Sequence, residues 1–178
     1  SNIGGDYNTA VGSWALSSNT TGSHNVAFGQ ATLGNNTSGS TNTAFGKEAL
    51  RSNTTASANT ATGYSALYTN TTGYHNTALG YMSLYSNTTA AGNTAVGYYS
   101  LHSSTGTDNT ATGKDSLYSN TSGGFNAAFG RSAMRQNTTG QYNSAFGQNA
   151  MYQNTSGYQN VAVGSHSMMN NTTGYNNT

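Results

Sequence analysis

The sequence predicts an all-β fold, a single-chain β-solenoid in which each coil holds one repeat of seventeen residues. Three observations predict it. A line close to NTAxGxxALxxNTTGxx recurs along the chain, glycine interrupts each copy at regular intervals, and short stretches of Thr, Val, Phe, Ala and Tyr lie between the glycines. Such stretches suit short strands. Seventeen residues are too few for a helix pair, and the apolar positions do not follow a 3.6-residue period.

We number the repeat from its first asparagine, and the spacing is seventeen throughout except for sixteen between Asn93 and Asn109. Residues 1–178 form one repeat array of about ten and a half coils, which we interpret as a segment of a longer fibre. The first residues of the repeats are Asn8, Asn25, Asn42, Asn59, Asn76, Asn93, Asn109, Asn126, Asn143, Asn160 and Asn177.

The first five positions predict a strand and a corner. Position 3 is always Ala and position 5 always Gly, from Gly12 to Gly164, which allows a corner with positive φ. Because side chains alternate along a strand, positions 1, 3 and 5 share one face and positions 2 and 4 the other. The sequence leaves open which face points into the coil. We expect two short strands and two corners in each coil.

Position 9 is always Leu or Met, and it predicts a core column that stacks from coil to coil. Its members are Leu16, Leu33, Leu50, Leu67, Leu84, Leu101, Leu117, Met134, Met151 and Met168.

Position 12 is Asn in nine copies, followed by Thr and then Thr or Ser, and it has two interpretations. The asparagines can form a ladder that bonds the turn backbone. They also form N-glycosylation sequons in a chain that passes through a secretory route. The residues are Asn19, Asn36, Asn53, Asn70, Asn87, Asn120, Asn137, Asn154 and Asn171.

Tyrosines recur at positions 6, 10 and 16. The position-6 set of Tyr64, Tyr81 and Tyr98 is a candidate binding surface for sugars or for another protein. The alternative is stacking between coils that stiffens the rod.

Composition disfavours several classes of function. The net charge is +1, and Lys47, Arg51, Lys114, Arg131 and Arg135 look scattered, so we expect no nucleic-acid partner. There is no Cys and no apolar run long enough for a membrane span, so we predict no disulfide and no membrane insertion. The four acidic residues fall in different coils with no recurrent partner, and His24 and His75 share a column but lie three coils apart. We therefore predict no enzyme activity, no catalytic residue, no metal site and no cofactor.

The repeat resembles those of tail-fibre-type proteins of bacteriophages and, more loosely, the head repeats of trimeric autotransporter adhesins, where an xAxG core recurs. The resemblance covers the whole chain. It implies a left-handed parallel β-roll, with three chains packed around a common axis, on the outside of a cell or on a virion. The coil here is longer than in the adhesin heads.

These observations predict a structural rod in an extracellular fibre, tail fibre or adhesin-like appendage, with further copies of itself as partners. One alternative is a self-assembled, N-glycosylated extracellular filament. Another is a module that binds cell-surface glycans or receptors through the tyrosines. Ice binding is a weaker alternative, because the adjacent Thr20 and Thr21 point to opposite faces of the coil.

Overall fold

The computed structural model describes residues 4–178. Ten short strands stack along the chain and form a single parallel sheet. Strand order follows chain order, and equivalent residues of neighbouring repeats pair in register, as Ala27 does with Ala44. The strands are β1 (Thr9–Val11), β2 (Val26–Phe28), β3 (Thr43–Phe45), β4 (Thr60–Thr62), β5 (Thr77–Leu79), β6 (Thr94–Val96), β7 (Thr110–Thr112), β8 (Ala127–Phe129), β9 (Ser144–Phe146) and β10 (Val161–Val163). The predicted β-solenoid, with one repeat in each coil, is confirmed.

Each coil contains one strand, so the prediction of two was wrong for the described part of the chain. The cause is a left-handed backbone at positions 7 and 9, with φ of 56° at Ala31 and 50° at Leu33. Such residues end an extended run, and the rest of the coil is a series of turns. These turns still bond to the next coil: the Leu33 N–H donates to the Ala49 carbonyl at 3.0 Å.

The face that points into the coil is the one with Asn and Ala. Ala27 and Ala44 at position 3 are completely buried, whereas Phe28 and Phe45 at position 4 are exposed. The position-9 column lies opposite the alanines in the same core cluster, buried from Leu16 to Met151, with Met168 packed against its end.

A pair of asparagine amides braces the interior of each coil. The carbonyl of Gly39, at position 15, accepts a hydrogen bond from Asn25 Nδ2 at 2.8 Å and another from Asn36 Nδ2 at 2.9 Å. One amide comes from position 1 and the other from position 12, so the brace ties the two ends of the repeat together. The same pairing closes the next coil, where Asn42 and Asn53 bond the carbonyl of Ala56.

Both asparagine positions also form ladders along the rod. Asn36 Nδ2 donates to Asn19 Oδ1 at 2.7 Å, and Asn53 Nδ2 donates to Asn36 Oδ1 at 2.7 Å. At position 1, the Asn42 backbone N–H donates to Asn25 Oδ1 at 3.0 Å. Burying a polar group costs little free energy only when the group is hydrogen-bonded. The ladders and the brace supply these hydrogen bonds to the buried asparagines. The coil can therefore be thin and poor in large aliphatic side chains.

The sixteen-residue repeat interrupts the position-12 ladder. Ser104 takes the place of the asparagine and accepts a bond from Asn120 Nδ2 at 3.1 Å. On the other side, the buried Oδ1 of Asn87 has no hydrogen-bond partner among the described residues. The position-1 ladder continues across this coil, since the Asn109 N–H donates to Asn93 Oδ1 at 3.0 Å.

Candidate functional site

Tyr64, Tyr81 and Tyr98 stack on one another on the outside of three consecutive coils. The ring centroids are 5.3 Å apart between Tyr64 and Tyr81, and 5.4 Å apart between Tyr81 and Tyr98, with the planes within 14° of parallel. Position 6 in the flanking coils is lysine. Lys47 Nζ lies 5.8 Å from the Tyr64 ring centroid and Lys114 Nζ lies 5.5 Å from that of Tyr98. We call these five residues the Tyr81 column.

Position 10 builds a second aromatic stack with cations at its ends. Tyr68 and Tyr85 stack at 5.2 Å, and His102 lies between Tyr85 and Tyr118 at 5.4 and 5.1 Å. Arg51 donates to the Tyr68 hydroxyl at 2.8 Å, and the Arg135 guanidinium lies 5.0 Å from the Tyr118 ring centroid. We call this set (Arg51, Tyr68, Tyr85, His102, Tyr118 and Arg135) the His102 column.

Tyr99, at position 7, joins the two columns. Its ring meets Tyr98 at 4.3 Å and His102 at 5.0 Å, in both cases edge to face. A hydrogen bond with Tyr98 and desolvation raise the pKa of Tyr99. Desolvation, with Tyr99 and Tyr64 close by, raises the pKa of Tyr81. The two columns therefore form one continuous aromatic surface over the middle of the rod.

The five Lys and Arg residues of the chain all lie at positions 6 and 10. The expectation that they are scattered was wrong, because seventeen-residue spacing brings distant parts of the sequence onto the same side of the coil. Acidic side chains at position 7 lie beside some of them. Glu48 is 3.6 Å from Arg51, and Asp115 is 4.0 Å from Lys114.

The stacking changes what this surface can offer a ligand. Each face of the Tyr81 ring lies against another ring, and the outer faces of Tyr64 and Tyr98 lie beneath lysines. A sugar that stacks on an aromatic residue needs a free ring face. These columns present ring edges and hydroxyls to solvent. The geometry therefore favours the stiffening interpretation of Tyr64, Tyr81 and Tyr98.

His102 gives the aromatic surface a pH dependence. Burial lowers the pKa of His102 below its ordinary value of 6.5, since its ring lies between two tyrosines. The contribution of neutral His102 to stability is present above pH 6.5 and is lost as the pH falls through the lowered pKa of the folded state.

We expect His102→Tyr to complete the column and remove this loss of stability in acid. The measurement is the urea midpoint of unfolding at about pH 7.5 and at about pH 5 for both proteins. The control, His166→Tyr, replaces an exposed histidine near the last strand and should keep the acid sensitivity. Equal acid dependence in His102→Tyr and the unaltered chain would contradict the assignment.

The position-12 asparagines point into the coil. Asn70 is representative: it is fully buried, and its Nδ2 donates to the Gly73 carbonyl at 2.9 Å and to Asn53 Oδ1 at 3.1 Å. N-glycosylation attaches the sugar to this same nitrogen. The geometry thus favours the turn-ladder interpretation. The residues placed in the ladder or its continuation are Asn19, Asn36, Asn53, Asn70, Asn87, Asn120, Asn137, Asn154 and, at its partly buried end, Asn171.

Sequence reasoning missed the position-1 asparagines as brace residues, although their recurrence in each repeat was the available signal. It also left open which face of the sheet points outward. Position 4 places Phe28, Phe45, Phe129 and Phe146 in solvent, and only Thr62 and Thr112 are threonine at this position. This apolar row is unlike the two regular outward ranks of threonine on which the ice-binding alternative depends.

The described residues show neither a metal site nor a membrane-spanning helix. No cluster of three or more His, Asp or Glu side chains within residues 4–178 could hold a metal ion. Over the same residues, no helix is long and apolar enough to cross a membrane.

Comparison with known proteins returned no match: no family model, no curated protein and no solved structure is detectably similar to this chain.

Proposed function

We propose that this chain is a non-enzymatic structural rod in an extracellular fibre, tail fibre or adhesin-like appendage. The observation that carries the proposal is the register of ten parallel strands, maintained without an inserted loop. Each coil presents its amide ladders and backbone groups to the coil above and the coil below. Ten coils at a strand spacing of about 4.8 Å give a rod about 48 Å long.

The outward face of the sheet supports association with further copies. Positions 2 and 4 carry no charged residue in any repeat. Phe45 is 41% exposed and Phe146 is 42% exposed, and each stacks with a neighbouring Phe in the same row. A flat, uncharged row of this kind loses contact with water when a second copy of the same row covers it. Three chains packed through this face are the assembly that the repeat resemblance favours.

Native mass spectrometry tests the assembly. The unaltered chain should give the mass of three copies, and the double variant Phe45→Lys with Phe146→Lys should give one copy, because charge on the face opposes its burial. The control, Trp14→Lys with Gln148→Lys, adds the same charge at exposed positions 7 and 6 and should stay trimeric. A monomeric unaltered chain, or a trimeric Phe45→Lys and Phe146→Lys variant, would contradict packing through this face.

Electron microscopy of the same samples tests the rod itself. We expect straight particles whose length matches the coil count in the trimer and in the monomeric variant. Compact particles would contradict the structural role. Location outside the cell or on a virion is tested by labelling intact source cells or particles with an antibody to the chain.

A further inference from the structure

We propose that the stacked tyrosine pairs are sites of oxidative cross-linking, in which a dityrosine bond joins neighbouring coils covalently. The co-reactant would be a one-electron oxidant of tyrosine, such as a peroxidase supplied with hydrogen peroxide. This inference goes beyond the rod function, since it rests on the geometry of the rings within one chain.

Four pairs of tyrosines stack between adjacent coils. Their centroid separations are 5.3 Å for Tyr64–Tyr81, 5.4 Å for Tyr81–Tyr98, 5.2 Å for Tyr68–Tyr85 and 5.1 Å for Tyr158–Tyr175. In each pair the planes lie within 14° of parallel. Because equivalent residues stack in register with nearly parallel rings, we expect each ortho carbon to face its counterpart in the next ring.

The rings are also accessible to an oxidant. Tyr158 is 43% exposed and Tyr175 is 58% exposed, and the three tyrosines of the Tyr81 column are exposed as well. Backbone bonds hold the coils of a pair together: the Asn176 N–H donates to the Tyr158 carbonyl at 3.2 Å. The two reacting groups are therefore held side by side, which removes the cost of bringing them together.

The reaction balances as a two-electron oxidation. Each phenol gives up one hydrogen atom and becomes a tyrosyl radical, and one hydrogen peroxide takes both hydrogen atoms and becomes two waters. The radicals couple at their ortho carbons, so one carbon–carbon bond forms. The hydrogen on each coupled carbon then moves to the oxygen and restores both phenols. The product has two hydrogens fewer than the starting chain.

The same chain contains tyrosines that should not react in this way. Tyr142 stacks on Phe125 at 5.0 Å, Tyr7 stacks on His24 at 5.0 Å, and Tyr118 stacks on His102. These rings share the stacked geometry with the reactive pairs, but their stacking partner is not a tyrosine. Tyr118 also meets Tyr99, but edge to face at 5.9 Å and not ring on ring. These tyrosines are internal controls. They show whether cross-linking requires a stacked tyrosine partner or only an exposed or stacked ring.

The test is peroxidase with hydrogen peroxide on the full chain at low concentration, followed by trypsin and mass spectrometry. Cleavage after Lys and Arg yields residues 52–114, 115–131 and 136–178 as separate peptides. We expect a loss of two hydrogens in 136–178 and of two or four in 52–114, which holds the Tyr68–Tyr85 pair and the two pairs that share Tyr81. Blue dityrosine fluorescence should accompany it, with no such loss in 115–131, where Tyr118 is the only tyrosine.

Two variants locate the bond in the peptide 136–178. Tyr158→Phe keeps a stacked aromatic ring but removes one phenol, and it should abolish the mass loss in this peptide. Tyr142→Phe removes a tyrosine without a tyrosine partner and should leave the mass loss unchanged. An unmodified 136–178 peptide in the unaltered chain would overturn the proposal. So would mass loss that persists in Tyr158→Phe, or an identical cross-link map in urea-unfolded chain.

Discussion

Replacing Gly63 with alanine should destabilise the rod by at least about 3 kcal/mol, the largest effect that we expect from adding a single methyl group. Gly63 occupies position 5 with φ of 134°, a conformation that L side chains rarely adopt. A Cβ there would lie 2.4 Å from the carbonyl oxygen of Gly80 in the next coil. That oxygen belongs to the backbone of a strand end, so it cannot rotate away as a side chain could. The measurement is the shift in the urea unfolding midpoint.

Gly164→Ala is the matched control, because it separates backbone strain from contact between coils. Gly164 has φ of 117°, but an added Cβ would meet no atom within 4 Å. We expect a loss of about 1–3 kcal/mol, from the backbone conformation alone. An equal loss of unfolding free energy in Gly63→Ala and Gly164→Ala would contradict this explanation. Close approach of the next coil would then not be the reason that position 5 is always glycine.

Asn70→Asp should destabilise the rod by about 3–5 kcal/mol at neutral pH. The substitution replaces the Nδ2 donor, which bonds Gly73 and Asn53, with a carboxylate oxygen facing two acceptors. The other oxygen still accepts a hydrogen bond from Asn87 Nδ2 at 2.9 Å. Burial beside two acceptors nevertheless disfavours the charged form and raises the pKa of the carboxyl above its unfolded value. The stability of the variant should then be greatest below the unfolded pKa of about 3.9 and fall as the pH rises through the higher folded value.

Two controls accompany Asn70→Asp, with unfolding followed at several pH values. Asn35→Asp makes the same chemical change at an exposed position and should have little effect. Asn70→Ser copies the residue found at Ser104 and should cost about 1–3 kcal/mol without the pH dependence. Equal effects of Asn70→Asp and Asn35→Asp would mean that the position-12 ladder does not stabilise the fold.

The repeat period alone was enough to predict the stacking register. Once Leu33 and Leu50 occupy equivalent positions, a coil of seventeen residues places one directly beside the other, as the structure shows. The period did not predict which face of the strand is buried. Hydrophobicity would place Phe28 inside and Asn25 outside, but the amide brace of this thin coil places Asn25 inside.

The left-handed residues could not be predicted from residue type. Positions 7 and 9 hold residues such as Trp14, Glu48 and Leu50, none of which favours positive φ on its own. Coil-to-coil bonds and the brace impose this conformation, and those are long-range effects. The Tyr81 column was predictable from its tyrosines. The lysines at its ends follow the same seventeen-residue spacing and were predictable too. Tyr99 was not, because its position is not aromatic in the two neighbouring coils.

The sixteen-residue repeat at Ser104 has a mechanical consequence. The position-12 ladder is divided into a run of five asparagines, Asn19 to Asn87, and a run of four, Asn120 to Asn171, with Ser104 between them. Tension along the rod passes through each coil-to-coil step in turn and is shared by the bonds that cross that step. Between Asn87 and Ser104 the position-12 side chains contribute no bond. We expect a fibre built from this chain to part first at that step, where serine replaces asparagine at position 12 and the position-1 ladder and the Tyr85–His102 stack are among the side-chain contacts that remain.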